Sequence, residues 1–120
     1  MKYTPAQLTA ATAGDADAVL IAHDSTGVVG FCISRYDDGL LWLSWIAVRE
    51  SHRGRGIATQ LLDALAATMT SRRAHKIWCD SRTENRGSAR LLERVGFRKA
   101  ATLVNHWYGQ DFYLWEWTPA

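Results

Sequence analysis

Val48-Arg49-Glu50-Ser51-His52-Arg53-Gly54-Arg55-Gly56-Ile57-Ala58 lies between the apolar run Leu40 to Val48 and the stretch Thr59 to Met69, whose apolar residues recur at helical spacing. The segment therefore marks a strand that turns into a helix. The first N–H groups of a helix lack intrahelical partners, and the macrodipole adds partial positive charge, so such a turn binds anions; each aligned charge contributes roughly 0.3–1 kcal/mol when exposed. Gly54 and Gly56 let backbone approach a ligand without an intervening Cβ. The spacing is not that of a P-loop, because Ile57-Ala58 stands where Lys-Ser or Lys-Thr would follow the second glycine. It is not the dinucleotide fingerprint either, which wants a third glycine and an opening position in a βαβ unit.

Working outward, Asp37-Asp38-Gly39 reads as a hairpin turn between a strand over Val28 to Tyr36 and the strand over Leu40 to Val48. Ala18 to His23 reads as an earlier strand, so three antiparallel strands lead into the anion site. Thr4 to Ala13 is Ala-rich, has Pro5 at a first-turn position and ends at Gly14, which predicts a short helix. Downstream, Lys76 to Ser81 is a strand, Asn85 to Phe97 a helix, and Phe97 to Trp107 and Asp111 to Trp117 are the last strands, joined by a turn at Gly109. Asn85 is a natural N-cap, Leu91 and Val95 lie one turn apart on an apolar face, and Gly96 is a left-handed stop.

Arg53, Gly56 and Ala58 after Ile46-Ala47-Val48 fit the Arg/Gln-x-x-Gly-x-Gly/Ala loop of the GCN5-related N-acetyltransferase (GNAT) superfamily, and Asn85 through Gly96-Phe97 is similar to that family's next helix. The order of elements follows the family from Val28 to Trp117, about three quarters of the sequence. The resemblance implies an α/β (α+β) fold with a mixed, splayed sheet flanked by helices, shortened at the front, where members place two helices. It further implies acetyl-CoA as co-substrate and transfer of an acetyl group to the primary amine of a small molecule, peptide or protein. The CoA contacts would be Ile46, Ala47, Val48, Arg53, Gly54, Arg55, Gly56, Ile57, Ala58, Thr59 and Asn85. A catalytically degenerate member that binds acyl-CoA as a sensor or subunit is the alternative.

Length and composition agree with a single domain over residues 1–120, of which 48% are hydrophobic. No apolar stretch is long enough to span a bilayer, and Met1 to Pro5 has no apolar signal region behind Lys2, so the expectation is a cytoplasmic protein with no membrane partner. A net charge of +2 does not argue for nucleic acid, and the cluster of Arg49, Arg53 and Arg55 suits a small phosphorylated ligand. Arg72, Arg73, His75 and Lys76 are read as cations meeting the C-terminal end of the first helix. Cys32 and Cys79 fall in strands among large apolar residues and read as buried thiols. Six Trp leave apolar area for a core or a homodimer contact, with Trp45 and Trp107 as lesser candidates for a pocket lining.

Acetyl transfer to an amine needs a neutral amine, a polarised carbonyl and a proton for the thiolate. A lysine amine, with pKa about 10.4, needs a base more than an α-amine at about 7.7–8.0. Asp80, five positions before Asn85, stands where relatives resembling ribosomal-protein N-terminal acetyltransferases carry a Glu that works through water. Strand alternation puts it with Trp78, opposite Cys79; it is the candidate base, or else bonds backbone or pairs with Arg82. Glu84 and Glu50 read as surface residues. The family's usual Tyr acid position holds Leu92, so either Tyr108 or Tyr113 substitutes, or water supplies the proton; Tyr108 is the candidate. His52 and His106 are eligible bases with no partner visible in the sequence; His52 reads as a loop residue near phosphate.

Overall fold

Alternating burial along the hairpin around Asp38-Gly39, both with positive φ as a two-residue turn requires, begins a sheet that carries the rest of the molecule. The computed structural model describes residues 6–11, 17–69 and 73–119. The strands are β1 (Gln7–Ala11), β2 (Asp17–Asp24), β3 (Gly27–Asp37), β4 (Leu40–Val48), β5 (Lys76–Arg82), β6 (Arg98–Leu103) and β7 (Phe112–Trp117). Helix α1 (Ile57–Ala67) follows β4, and helix α2 (Arg86–Arg94) follows β5. The sheet order is β1-β2-β3-β4-β5-β7-β6, with β4–β5 parallel and every other pair antiparallel. This is the mixed, splayed sheet expected from the sequence.

Three expectations fail. The predicted helix over Thr4 to Ala13 is a strand where it is described, because Gln7–Ala11 pairs with β2 from Gln7↔His23 to Ala11↔Val19. Ladder pairing with a neighbouring strand overrides the helix preference of an Ala-rich run, which is a weak prior; Thr4, Pro5, Thr12 and Ala13 lie outside the described residues. The strand predicted to reach Trp107 ends at Leu103, and Trp107–Gly109 is a 3₁₀ turn. The proposed helix-end cations are also displaced, since α1 ends at Ala67 and carries no basic residue in its last turn. Lys76 instead belongs to β5, Arg73 and His75 lie in the connection before it, and Arg72 lies outside the described residues.

Both helices cover one face of the sheet. Ile57, Leu61, Leu62 and Leu65 of α1 are buried, and a small cleft is shared by Leu62 and Ala66 of α1, by Val95 and Phe97 at the end of α2, and by Ile77 and Trp117. Gly30 lets α1 come close: a Cβ there would sit 3.0 Å from the Ala47 carbonyl oxygen and 3.2 Å from Ile57 Cγ2. Helix α2 ends as read from the sequence, with Phe97 N–H donating to Leu92 O (2.9 Å) and Gly96 N–H to Glu93 O (3.1 Å). Cys32 and Cys79 are free and buried on this face; burial pushes their thiols up to about 11 and about 12. The opposite face has no helix among the described residues, and its Phe31, Ile33, Trp42, Trp45, Trp78 and Leu114 are all at least partly exposed.

On that face Glu116 of β7 joins three strands. It accepts from Trp78 Nε1 (3.0 Å) and Arg98 Nη2 (2.6 Å), and Lys76 Nζ lies 3.5 Å away. The Trp78 hydrogen bond first, then Arg98, hold its carboxyl at about 2, below the ordinary 4.5. A depressed folded-state pKa stabilises the fold above pH 4.5, and this contribution disappears as pH falls toward 2. Glu116→Gln is expected to flatten the decline in Tm between those two pH values, measured by thermal melts across the acid range; an unchanged slope would count against the network.

Candidate functional site

The site arises because β4 and β5 part company. They pair only through Leu40↔Lys76, Leu41↔Ile77 and Trp42↔Trp78, while β4 stays on β3 to Val48↔Gly30 and β5 stays on β7 to Arg82↔Phe112. Just beyond the last shared pair, Ser34↔Leu43 is followed by Ile33↔Trp45, so Ser44 is an inserted bulge residue and Ser44 and Trp45 are exposed in succession. Past the bulge, Arg49 N–H donates to Val29 O (2.8 Å). By antiparallel alternation Ala47 and Trp45 also turn their peptide groups to β3, which leaves those of Ile46 and Val48 facing the opening.

A groove of about 600 Å³ occupies this space, lined by Ile46, Ala47, Val48, His52, Arg53, Gly54, Gly56, Ile57, Ala58, Thr59, Asn85, Gly87, Ser88, Leu91 and Arg94. No carboxylate is among these described residues, and Arg53 and Arg94 supply positive charge. Gly56 caps α1 with φ +79°, no side chain caps the helix, and the first intrahelical bond is Gln60 N–H to Gly56 O (2.9 Å). The N–H groups of Ile57, Ala58 and Thr59 therefore open onto the groove, as an anion site requires. Arg53 Nε donates to Val48 O (3.3 Å), so this loop folds back on the end of β4.

His52 has partners after all. It is 8% exposed, its Nε2 lies 3.1 Å from Asp24 Oδ2, and Ser51 Oγ lies 2.8 Å from its Nδ1. Asp24 is held in turn by Thr26, whose side-chain and backbone hydrogen bonds, with His52, keep its carboxyl below the usual range. The β2–β3 hairpin thus anchors the loop that leads into α1.

A second opening of about 190 Å³ joins the groove through Ile46, Asn85, Ser88 and Leu91, which line both. Its other walls are Leu43, Ser44, Trp45, Cys79, Asp80, Ser81 and Leu92. Asp80 Oδ2 accepts from Trp107 Nε1 (2.9 Å), and His106 Nε2 lies 3.7 Å from the same oxygen. The partner of Asp80 is thus the 3₁₀ turn between β6 and β7 and not Arg82. That turn is held by His106 N–H to Gln110 O (2.8 Å), Gln110 N–H to Trp107 O (2.9 Å) and Asn105 N–H to Asp111 Oδ1 (2.9 Å).

A model of the acetyltransferase (GNAT) family matches residues 2–97. The chain belongs to the GNAT family of acetyltransferases. Among curated relatives, it is 37% identical over 71 residues to an N-alpha-acetyltransferase of Saccharolobus solfataricus, which covers 58% of this chain and 42% of that protein. This GNAT chain spans less than half the length of the curated relatives it matches. A GNAT family acetyltransferase from Elizabethkingia anophelis with acetyl-CoA bound has the same fold, with a TM-score of 0.87 and 16% identity over 98% of this chain and 100% of that one. The ribosomal-protein-S18-alanine N-acetyltransferase of Escherichia coli has a TM-score of 0.80 and 20% identity, over 88% and 71% of the two chains.

Of the residues singled out in the sequence, Ile46, Ala47, Val48, Arg53, Gly54, Gly56, Ile57, Ala58, Thr59 and Asn85 line the groove, and Arg55 lies outside that lining. Asp80 lines the second opening; Tyr108 lines neither and is 88% exposed at φ +56°. Glu50 and Glu84 are exposed as read. Unforeseen members are Gly87, Ser88, Leu91 and Arg94, whose spacing of one, four and seven places them on one face of α2. Leu91 belongs to the apolar face read from the sequence, but Gly87, Ser88 and Arg94 are polar or small and give that face no reason to extend over them. At Gly56 nothing lies within 4 Å of an added Cβ, so substitution is opposed by the left-handed backbone alone. Gly56→Ala is expected to destabilise by about 1–2 kcal/mol in urea unfolding, with Gly56→Asn milder; equal stability of the alanine variant would show that the loop relaxes.

Proposed function

We propose that this chain transfers the acetyl group of acetyl-CoA to a primary amine. The observation that carries the reading is a carboxylate-free groove with an uncapped helix start, continuous with an opening that holds one carboxylate. The pyrophosphate rests on the N–H groups of Ile57, Ala58 and Thr59 and on the Gly54–Gly56 turn, with Arg53 and Arg94 balancing its charge. The pantetheine arm lies along β4 and bonds the Ile46 carbonyl and the Val48 N–H, the Val48 carbonyl being taken by Arg53 Nε. Likeness to a neighbour crystallised with acetyl-CoA and to a relative named an N-alpha-acetyltransferase supports both substrates.

The amine nitrogen attacks the thioester carbonyl carbon from the second opening. A β4 peptide N–H at Ile46 bonds the carbonyl oxygen as it gains charge. The ammonium proton passes to Asp80, directly or through water, before attack; the nitrogen, cationic again once bonded to carbon, gives a second proton to water as the C–S bond breaks and the CoA thiolate leaves. Leu92 offers no proton and Tyr108 lines neither opening, so solvent protonates the thiolate. With thiol pKa values near 8.5 it is a tolerable leaving group. Cys79 stays out of the chemistry, because its thiol, pushed up to about 12 by burial, is neutral.

Acetyl-CoA at about 100 times its Kd adds about 2.7 kcal/mol of stability, a rise in Tm on the order of 10 °C. No shift at millimolar acetyl-CoA would sink the donor assignment. Asp80→Asn is expected to lower kcat/KM for the amine by about 10²–10⁴ while leaving the acetyl-CoA shift intact. Unchanged thiol release by that variant would remove Asp80 from the mechanism.

A further inference from the structure

The second opening also carries information about the acceptor. Among the described residues lining it, Asp80 is the one charged group. Its Oδ2 is fixed by the Trp107 indole N–H at 2.9 Å, and Trp45, 67% exposed, forms an adjacent wall. Trp107 is itself 52% exposed, so two large aromatic side chains border one carboxylate and neither serves the core. The bulge at Ser44 turns Trp45 outward beside its register partner Ile33, on the sheet face that no described helix covers.

Asp80, which also has His106 Nε2 at 3.7 Å, is the group of this lining that attracts an ammonium by charge, and the exposed Trp45 indole beside it adds apolar and cation–π surface. A polyamine or aminoglycoside would bring further ammonium groups to the walls formed by Leu43, Leu91 and Leu92, where no second carboxylate offsets their loss of water. An apolar body attached to a single amine instead gains burial against Trp45 and Ile33. We infer that the acceptor is a primary amine with a single positive charge on an apolar carbon body, seated with its nitrogen at Asp80 and its body on Trp45. The inference rests on the acetyl-transfer reading for its chemistry, but it is tested by binding alone.

Calorimetric titration of the CoA-saturated protein with 2-phenylethylamine, spermidine and kanamycin makes the comparison. The expected result is a Kd for 2-phenylethylamine at least tenfold below those of the other two. Trp45→Ala, whose exposed side chain leaves the fold intact as checked by an unchanged Tm, should weaken 2-phenylethylamine at least tenfold and spermidine little. Ser44→Asp, which adds a second carboxylate to the wall, should shift preference toward spermidine. A short peptide beginning with Phe, run beside its Nα-blocked form, separates a free amine from a polypeptide N-terminus as the source, the tighter ligand naming it. Tighter binding of spermidine or kanamycin to the unaltered protein, equal weakening of all ligands by Trp45→Ala, or binding of neither 2-phenylethylamine nor the Phe peptide overturns the inference. Thiol release is followed in parallel: tight monoamine binding without release counts against acetyl transfer alone, whereas release driven best by spermidine counts against the acceptor class alone.

Discussion

Everything at the site depends on the parting of β4 from β5 after Trp42↔Trp78. Two parallel strands in register would satisfy each other's peptide groups and close the sheet. The bulge at Ser44 bends β4 away instead, so Ile46 and Val48 keep peptide groups aimed at the opening while β3 still holds the strand from behind. The same event turns Trp45 outward. The large groove and the second opening are thus two sides of one irregularity.

Charge is divided along the same line. Among the described residues, the large groove is lined by Arg53 and Arg94 with no acid, and the small opening by Asp80 with no cationic side chain. Under the proposed function a polyanion and an ammonium would each be drawn to a separate part of one continuous space. Elsewhere on the sheet, Glu116 pairs with both Arg98 and Lys76, leaving that cluster one net positive charge.

Local signals are legible where backbone and side chain say the same thing. Leu40 to Val48 reads with its true limits, because an apolar run bounded by Asp38-Gly39 and by the glycine loop has one solution. Asn85 and Gly96 mark the ends of α2 because capping chemistry is confined to a few residues. The misread stretch, Gln7–Ala11, is one whose fate depends on a partner: β2 recruits it as an edge strand, and Ala content alone carries no record of that. The Asp24–His52 pair joins residues 28 apart, and Trp107 with Asp80 joins residues 27 apart, so neither contact has a local signature. Arg94 is hidden differently, on a helix face whose periodicity is real but not hydrophobic.

The three residue pairs that join β4 to β5 are also the one ladder between two parts of the sheet. From β1 to β4 every neighbour is next in sequence, whereas beyond the join β5 pairs with β7 and β6 lies at the edge. The β5–β7 pairs, such as Ile77↔Trp117, close loops as long as the parallel join itself. The site therefore runs along a seam rather than through a body. Helix α1 packs on β2, β3 and β4 and also meets Ile77 and Trp117 beyond the join, so the seam is held by core burial as well as by its three ladder pairs.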